Sequence, residues 1–245
     1  MKTLVVSSAL TFVPDNYEGL ICPLAEHPHV QGLMLLENRT LLLAAQATAL
    51  VMTGAAPRLG LQLLRNFNSE SLQRKLKTYQ NMGKQTSIFQ DPNSPEALSW
   101  IRSGGFDLIL NARTRFIFKR ELLGIPRIGC INIHHGLLPK QRGLMCDLWS
   151  FFDNEPLGFS IHRMTPKLDD GEILAVVEVP RQGQDYLATI AAGAKLELET
   201  CRQVLDRIAE SGRIEGRSNH SADIVYRRNP TLLDFYRLRQ KGVRL

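Results

Sequence analysis

The chain has 245 residues, 44% hydrophobic and 22% charged, with a formal net charge of +6. That length supports one full α/β core plus a modest extension, and the balance is ordinary for a globular protein. No apolar run approaches the roughly 18 residues that a spanning helix needs, so no membrane helix is expected.

The opening run, Met1-Lys2-Thr3-Leu4-Val5-Val6, reads as a first strand, since its apolar part is too short for a signal peptide. A cytoplasmic location is the expectation. Further strands are predicted at Gln31 to Leu36, Thr86 to Phe89, Asp107 to Leu110 and Gly129 to His134. Helical periodicity lies between them, around Tyr17–His27, Thr40–Met52, Leu59–Phe67, Ser71–Asn81, Pro95–Ser103 and Phe116–Leu122. Ser94-Pro95-Glu96 is a strong helix start, and Gly104-Gly105 marks the stop. Strands alternating with helices predict crossover units, hence a Rossmann-like, open, twisted, mostly parallel sheet with helices on both faces.

After His134 the pattern changes. Gly136 to Gly143 reads as a loop and Leu144 to Asp153 as a helix. Two strands, Gly158–Met164 and Glu172–Val179, then follow too closely for a helical crossover, which predicts an antiparallel or irregular pair. From about Asp185 to Glu210, Leu187, Ile190, Ala194, Leu198, Cys201, Leu205 and Ile208 recur at helical spacing and mark one packing stripe. The domain expectation is a catalytic domain over residues 1–211. A basic extension over 212–245 would carry a short helix at Thr231–Gln240.

The four cysteines, Cys22, Cys130, Cys146 and Cys201, are widely spaced without a CxxC pair, so neither a disulfide framework nor a zinc ribbon fits. Each reads as a small buried hydrophobe, and only Cys146 stands near chemistry-bearing residues. No metal is expected. The extension concentrates cations: Arg213, Arg217, Arg227, Arg228, Arg237, Arg239, Lys241 and Arg244. Without an aromatic-interleaved motif a solvated basic surface is the better reading, and a nucleic-acid partner is not expected. A symmetric dimer is the base-rate expectation.

The stretch richest in chemistry is Ile131-Asn132-Ile133-His134-His135-Gly136-Leu137-Leu138-Pro139. Side chains two apart on a strand share a face, so Asn132 and His134 point the same way. In an open parallel sheet the carboxyl ends of strands receive ligands. There a carboxamide can donate to a developing oxyanion and an imidazole can manage protons. On spacing alone a structural role for the pair is the better reading.

The wider pattern changes that weighting. Asn132-x-His134, Leu137-Leu138-Pro139, Arg142-Gly143, then Leu157-Gly158-Phe159-Ser160-Ile161-His162 and Leu168-Asp169-Asp170-Gly171 together resemble the formyltetrahydrofolate-dependent formyltransferase family. The resemblance covers roughly residues 86–180, and it implies the formyltransferase fold. It also implies transfer of a formyl group from 10-formyltetrahydrofolate to an amine, with Asn132, His134 and Asp169 as the catalytic residues. Asn132 would hold the formyl oxygen, His134 would stabilise the oxyanion and move protons, and Asp169 would favour the charged imidazole. By the same resemblance Arg115, Phe116, Ile117 and Phe118, with Asn132, would line the pterin site; the ordinary alternative is a helix start. Asp169 taken alone would be turn chemistry, and Asp170 keeps that reading. His135 reads as a loop residue, and His162 as either a neighbour of the site or a structural histidine.

Departures narrow the acceptor. Gly136 stands where the family has serine, and Arg113-Thr114 where a small residue and an aromatic are usual. Ser7-Ser8-Ala9-Leu10-Thr11-Phe12-Val13-Pro14 contains no glycine, which argues against a phosphate loop and against glycinamide ribonucleotide. Neither the C-terminal barrel of methionyl-tRNA enzymes nor the N-terminal domain of the deformylase is expected. The remaining acceptor is a small amine: an amino sugar nucleotide, an amino acid or a natural-product precursor. Two alternatives stay open, a hydrolase that releases formate and a catalytically silent folate-binding homologue.

Overall fold

Five short runs of apolar and β-branched residues pair side by side in the structure, a computed structural model that describes residues 1–245 and every side chain except that of Ser69. They are β1 (Thr3–Ser8), β2 (Val30–Leu36), β3 (Gln85–Phe89), β4 (Leu108–Ala112) and β5 (Gly129–His134), and all their mutual pairings are parallel. Two further strands, β7 (Gly158–Arg163) and β8 (Ile173–Glu178), continue the sheet antiparallel beyond β5. The order is β3-β2-β1-β4-β5-β7-β8. Strands β1 and β4 are buried along their whole length, which is why they read as near-continuous apolar runs rather than alternating ones.

Helices cover both faces. They are α1 (Glu18–Leu24), α2 (Leu41–Met52), α3 (Pro57–Asn66), α4 (Ser69–Asn81), α5 (Pro95–Gly104), α6 (Arg120–Leu123), α7 (Cys146–Asp153), α8 (Tyr186–Ser211) and α9 (Leu232–Gln240). One core cluster joins Val5, Leu33, Leu110 and Ile131 of the sheet to Leu20 and Leu24 of α1 and Val204 and Leu205 of α8. The opposite face packs Leu4, Met34 and Ile109 against Leu98 and Ile101 of α5. Local chemistry sets the helix ends. The Ser94 side chain accepts from Ala97 N at the start of α5, and Gly105 closes that helix at φ 62°, where only glycine is unstrained.

Three local expectations need correction. The helix expected over Phe116–Leu122 forms only at Arg120–Leu123. The residues before it are drawn into irregular backbone because Arg113 takes φ 52° and Asn93 pins the loop, donating to Ile117 O at 3.0 Å and accepting from Lys119 N at 2.8 Å. The helix expected over Tyr17–His27 spans Glu18–Leu24, since Asp15, Asn16 and Tyr17 all have positive φ. The loop expected over Gly136–Gly143 ends in a short strand, β6 (Gln141–Gly143), paired in parallel with β9 (Val225–Arg227).

The residues beyond Gly212 return to the body. Ile214, Phe235, Leu238, Val243 and Leu245 join the larger core cluster, and Leu245 O accepts from Arg58 N at 3.0 Å. Several of the basic side chains hold this path: Arg227 pairs with Asp153, Arg228 with Asp234 and Arg244 with Asp185. Arg227 and Arg228 also stack on Trp149, with guanidinium carbons 5.5 and 5.2 Å from the ring centre. Leu238 is 1% exposed. Leu238→Ala is therefore expected to cost about 2–5 kcal/mol of stability, read from denaturant midpoints. A cost below about 0.5 kcal/mol, typical of a surface site, would contradict this packing.

Candidate active site

The strand order reverses between β1 and β4, and the cleft opens there, at the carboxyl ends of β1, β4 and β5. Its volume is about 460 Å³. Asn132 and His134 project into it from β5, as strand alternation predicts, and Asp169 reaches it from the turn between β7 and β8. Arg115, Phe116, Ile117 and Phe118 line the same cleft. Phe118 is buried and forms a wall, whereas Ile117 is 72% exposed at the rim. Among the described residues no group of three His, Cys, Asp or Glu side chains is placed to hold a metal ion, and no helix is long and apolar enough to cross a membrane.

His134 is 6% exposed, and its Nε2 lies 2.8 Å from the carbonyl of Gln141. A carbonyl only accepts, so Nε2 carries a hydrogen and Nδ1 is the nitrogen left for chemistry. Nδ1 faces Asp169 Oδ1 at 3.6 Å, within ion-pair range and beyond a direct hydrogen bond. The other oxygen, Asp169 Oδ2, accepts from Gly143 N at 2.9 Å.

Asn132 is oriented by a chain of bonds. Its Oδ1 accepts from Asn111 Nδ2 at 2.9 Å, and Asn111 Oδ1 accepts from the Thr114 hydroxyl at 2.8 Å. On the other side Asn132 Nδ2 donates to His162 Nε2 at 3.2 Å, while His162 Nδ1 donates to Arg163 O at 2.8 Å. Burial, followed by the nearby His134, pushes the His162 imidazole down to about 4, although Asp169 opposes that shift. His162 therefore stays neutral near pH 7 and keeps a lone pair on Nε2. The residue-type signal for this role was the Gly-x-Ser-x-His strand; its orientation was not readable.

Phe12, Arg113, His135 and Asp147 form the far wall. Arg113 lies 10% exposed beside Asp147 at 3.5 Å, with its guanidinium carbon 5.3 and 5.5 Å from the ring centres of Phe12 and Tyr17. His135 turns away from His134 and meets Glu197 of α8 at 3.0 Å, where the Tyr17 hydroxyl also donates. Burial would raise the Glu197 carboxyl, but His135, Arg113 and the Tyr17 hydroxyl outweigh it and hold the group below its usual range. Tyr186 donates to Asp147 at 3.2 Å. Cys146 is 1% exposed, and burial, followed by Asp147 and Asp169, pushes its thiol far up, so it is no nucleophile.

Gly136 has a steric reason. A Cβ at this position would stand 2.6 Å from His134 Nε2, 2.8 Å from Cys146 Cβ and 2.9 Å from Gln141 O. The backbone leaves the imidazole that space.

This is an open α/β protein with an amide, an imidazole and a carboxylate gathered at its switch point. A family model described as formyl transferase matches residues 44–202, and the chain belongs to that family. Methionyl-tRNA formyltransferase of Geobacillus thermodenitrificans is 37% identical over 120 residues, covering 46% of this chain and 37% of that protein. The Bacillus subtilis methionyl-tRNA formyltransferase is 35% identical over 138 residues, covering 54% and 43%. The chain thus spans about two fifths of the length of these curated relatives. Among solved structures, a sugar N-formyltransferase from Shewanella sp. FDAARGOS_354 shares the fold at TM-score 0.58 and 20% identity, over 97% of this chain and 87% of that one. Phosphoribosylglycinamide formyltransferase from Anaplasma phagocytophilum does so at 0.58 and 14%, over 93% and 99%.

Two outcomes follow from this geometry. Gly136→Ser is expected to displace the His134 ring and destabilise the fold by about 1–3 kcal/mol; an unchanged denaturation midpoint would count against the contact. The unfolded imidazole titrates near 6.5, above the folded His162, so stability is whole above pH ~6.5 and falls as pH drops toward 4. His162→Gln should make that acid limb shallower in denaturation midpoints taken across pH. A parallel limb in the variant would show that His162 does not carry it.

Proposed function

We propose that this chain transfers a formyl group from 10-formyltetrahydrofolate to the amine of a small acceptor, with Asn132, His134 and Asp169 as its catalytic residues. The observation that carries the reading is the convergence of the three groups on one cleft, with the His134 Nδ1 and Asp169 Oδ1 only 3.6 Å apart. Family membership supports the reaction class, and the names of the relatives span tRNA, sugar and ribonucleotide acceptors.

The residues divide the work. The second N–H of the Asn132 amide donates to the formyl oxygen, and that bond strengthens as the acceptor nitrogen adds and charge builds. His134 donates through Nδ1 to the same oxygen, gives that proton to the folate nitrogen as its bond to the formyl carbon breaks, and takes up the proton lost by the amine. Asp169 lies 3.6 Å from Nδ1 and holds the ring toward the cleft. The donor fits: about 460 Å³ is within the usual range for organic ligands, roughly 300–1,000 Å³. Phe116 and Phe118 offer apolar lining with Ile117 at the rim, and exposed Arg115 suits the anionic tail of a folate.

A small acceptor is favoured over a nucleic acid because tail cations such as Arg227, Arg228 and Arg244 are engaged within the fold. The acceptor is an amino sugar nucleotide, an amino acid or a natural-product precursor.

The test is turnover of 10-formyltetrahydrofolate with a panel of such amines. Asn132→Ala and His134→Ala should each lower kcat about 100-fold or more while the melting temperature stays near that of the parent. Fully active variants would overturn the assignment. Rapid formate release with no amine present would make the enzyme a hydrolase instead.

A further inference from the structure

Asp169 sits at φ 49°, in the left-handed region that a non-glycine residue occupies only at a cost of roughly 1 kcal/mol. Something outside the turn has to hold it there. The Asn219 side-chain amide donates to Asp169 O at 3.0 Å and to Gly171 O at 2.8 Å, spanning the turn from one end to the other. Asn219 is 7% exposed and comes from the segment beyond Gly212, 50 residues away in sequence.

Asn219 is itself fixed by Arg142, whose side chain has no exposed surface. One terminal nitrogen of Arg142 donates to Asn219 O at 2.6 Å and to Asn219 Oδ1 at 3.2 Å. Since Oδ1 faces this cation, the NH2 end must face the two carbonyls. The other terminal nitrogen of Arg142 reaches Asp170 Oδ1 at 2.5 Å and Tyr226 OH at 3.3 Å. The next residue along β6 is Gly143, whose N–H takes Asp169 Oδ2 and leaves Oδ1 toward His134.

We infer that Asn219 is a positioning residue for the reaction, locking with Arg142 the turn that aims Asp169 at His134. Asn219 thereby completes the active site without itself lining the cleft. This rests on the reading of Asp169 as catalytic, and the test separates the two.

Structures of Asn219→Ala and of the near-isosteric Asn219→Asp give the first readout. Aspartate keeps the partner for Arg142 but sets an oxygen against two carbonyls. Both variants should swing the Asp169 carboxylate out of ion-pair range of His134, beyond about 4 Å. A carboxylate unmoved in both would overturn the clamp.

Kinetics give the second, as a double-mutant cycle on the full chain with 10-formyltetrahydrofolate and hydroxylamine as probe amine. Asn219→Asp should lower kcat about 10- to 100-fold with KM for the donor little changed. In an Asp169→Asn background the same substitution should add less than roughly a twofold loss, because it acts through Asp169. Losses that multiply would overturn the inference and leave Asp169 catalytic. If Asp169→Asn alone keeps full kcat while the carboxylate still swings, the catalytic reading fails and the clamp survives as architecture.

Discussion

Everything proposed for this site depends on which end of one carboxamide faces the cleft. Asn132 must present N–H, and its neighbours decide that it does. The carbonyl of Arg163 is a group that cannot reverse its role. It can only accept, so His162 carries its hydrogen on Nδ1. Burial keeps that ring neutral, so Nε2 is a bare acceptor and draws the NH2 end of Asn132 toward it. Asn132 Oδ1 is then left facing Asn111, which donates, and Thr114 donates in turn. A protonated His162 would put N–H against N–H and favour the flipped amide, which aims oxygen where an oxyanion must form. The depressed basicity of His162 and the orientation of Asn132 are thus one constraint, not two.

Much of this fold was legible because its signals are local. The alternation of strands and helices, the Ser94-Pro95 start, the long stripe of α8 and the antiparallel pair after His134 all follow from spacing and turn chemistry. That Asn132 and His134 share a face follows from the period of a strand. The illegible parts depend on partners far away in the chain. Gln141 to Gly143 carries no strand pattern of its own and becomes β6 only because residues 225–227 arrive to pair with it. The loop before α6 has helical periodicity, but Arg113 leaves the helical region to meet Asp147 and two aromatic rings, a tertiary contact overriding local propensity. Asn219 has no motif around it at all, so nothing in its neighbourhood marked it.

Arg113 shows how a departure from a family pattern can find its own counter-charges. A guanidinium at 10% exposure needs compensation, and Asp147 and Glu197 supply it from α7 and α8. Two carboxylates against one fixed cation, with His135 pushed toward its neutral form by burial and by Arg113, leave this wall with no spare positive charge. The segment after β1, Ser7 to Pro14, likewise contains no glycine. A small-residue loop with free backbone N–H groups would make the opposite wall.

The same economy extends to β6. His134 Nε2 is held by the carbonyl of Gln141, Asp169 Oδ2 by the N–H of Gly143, and Arg142 between them reaches the turn that bears Asp169. Three consecutive residues thus hold both the imidazole and the carboxylate. Their register is fixed by Val225, Tyr226 and Arg227, and a Cβ on Gly143 would run into Arg227 O at 2.2 Å, so the two strands approach as closely as backbone allows. A slip of one residue in that pairing would move the Gly143 N–H and the Arg142 side chain to opposite sides of the strand. Asp169 would lose its oxygen contact and its turn clamp together, while the central sheet stayed intact. The pairing that sets Arg142 and Gly143 beside the turn bearing Asp169 is thus the short, two-stranded one, outside the seven-stranded sheet.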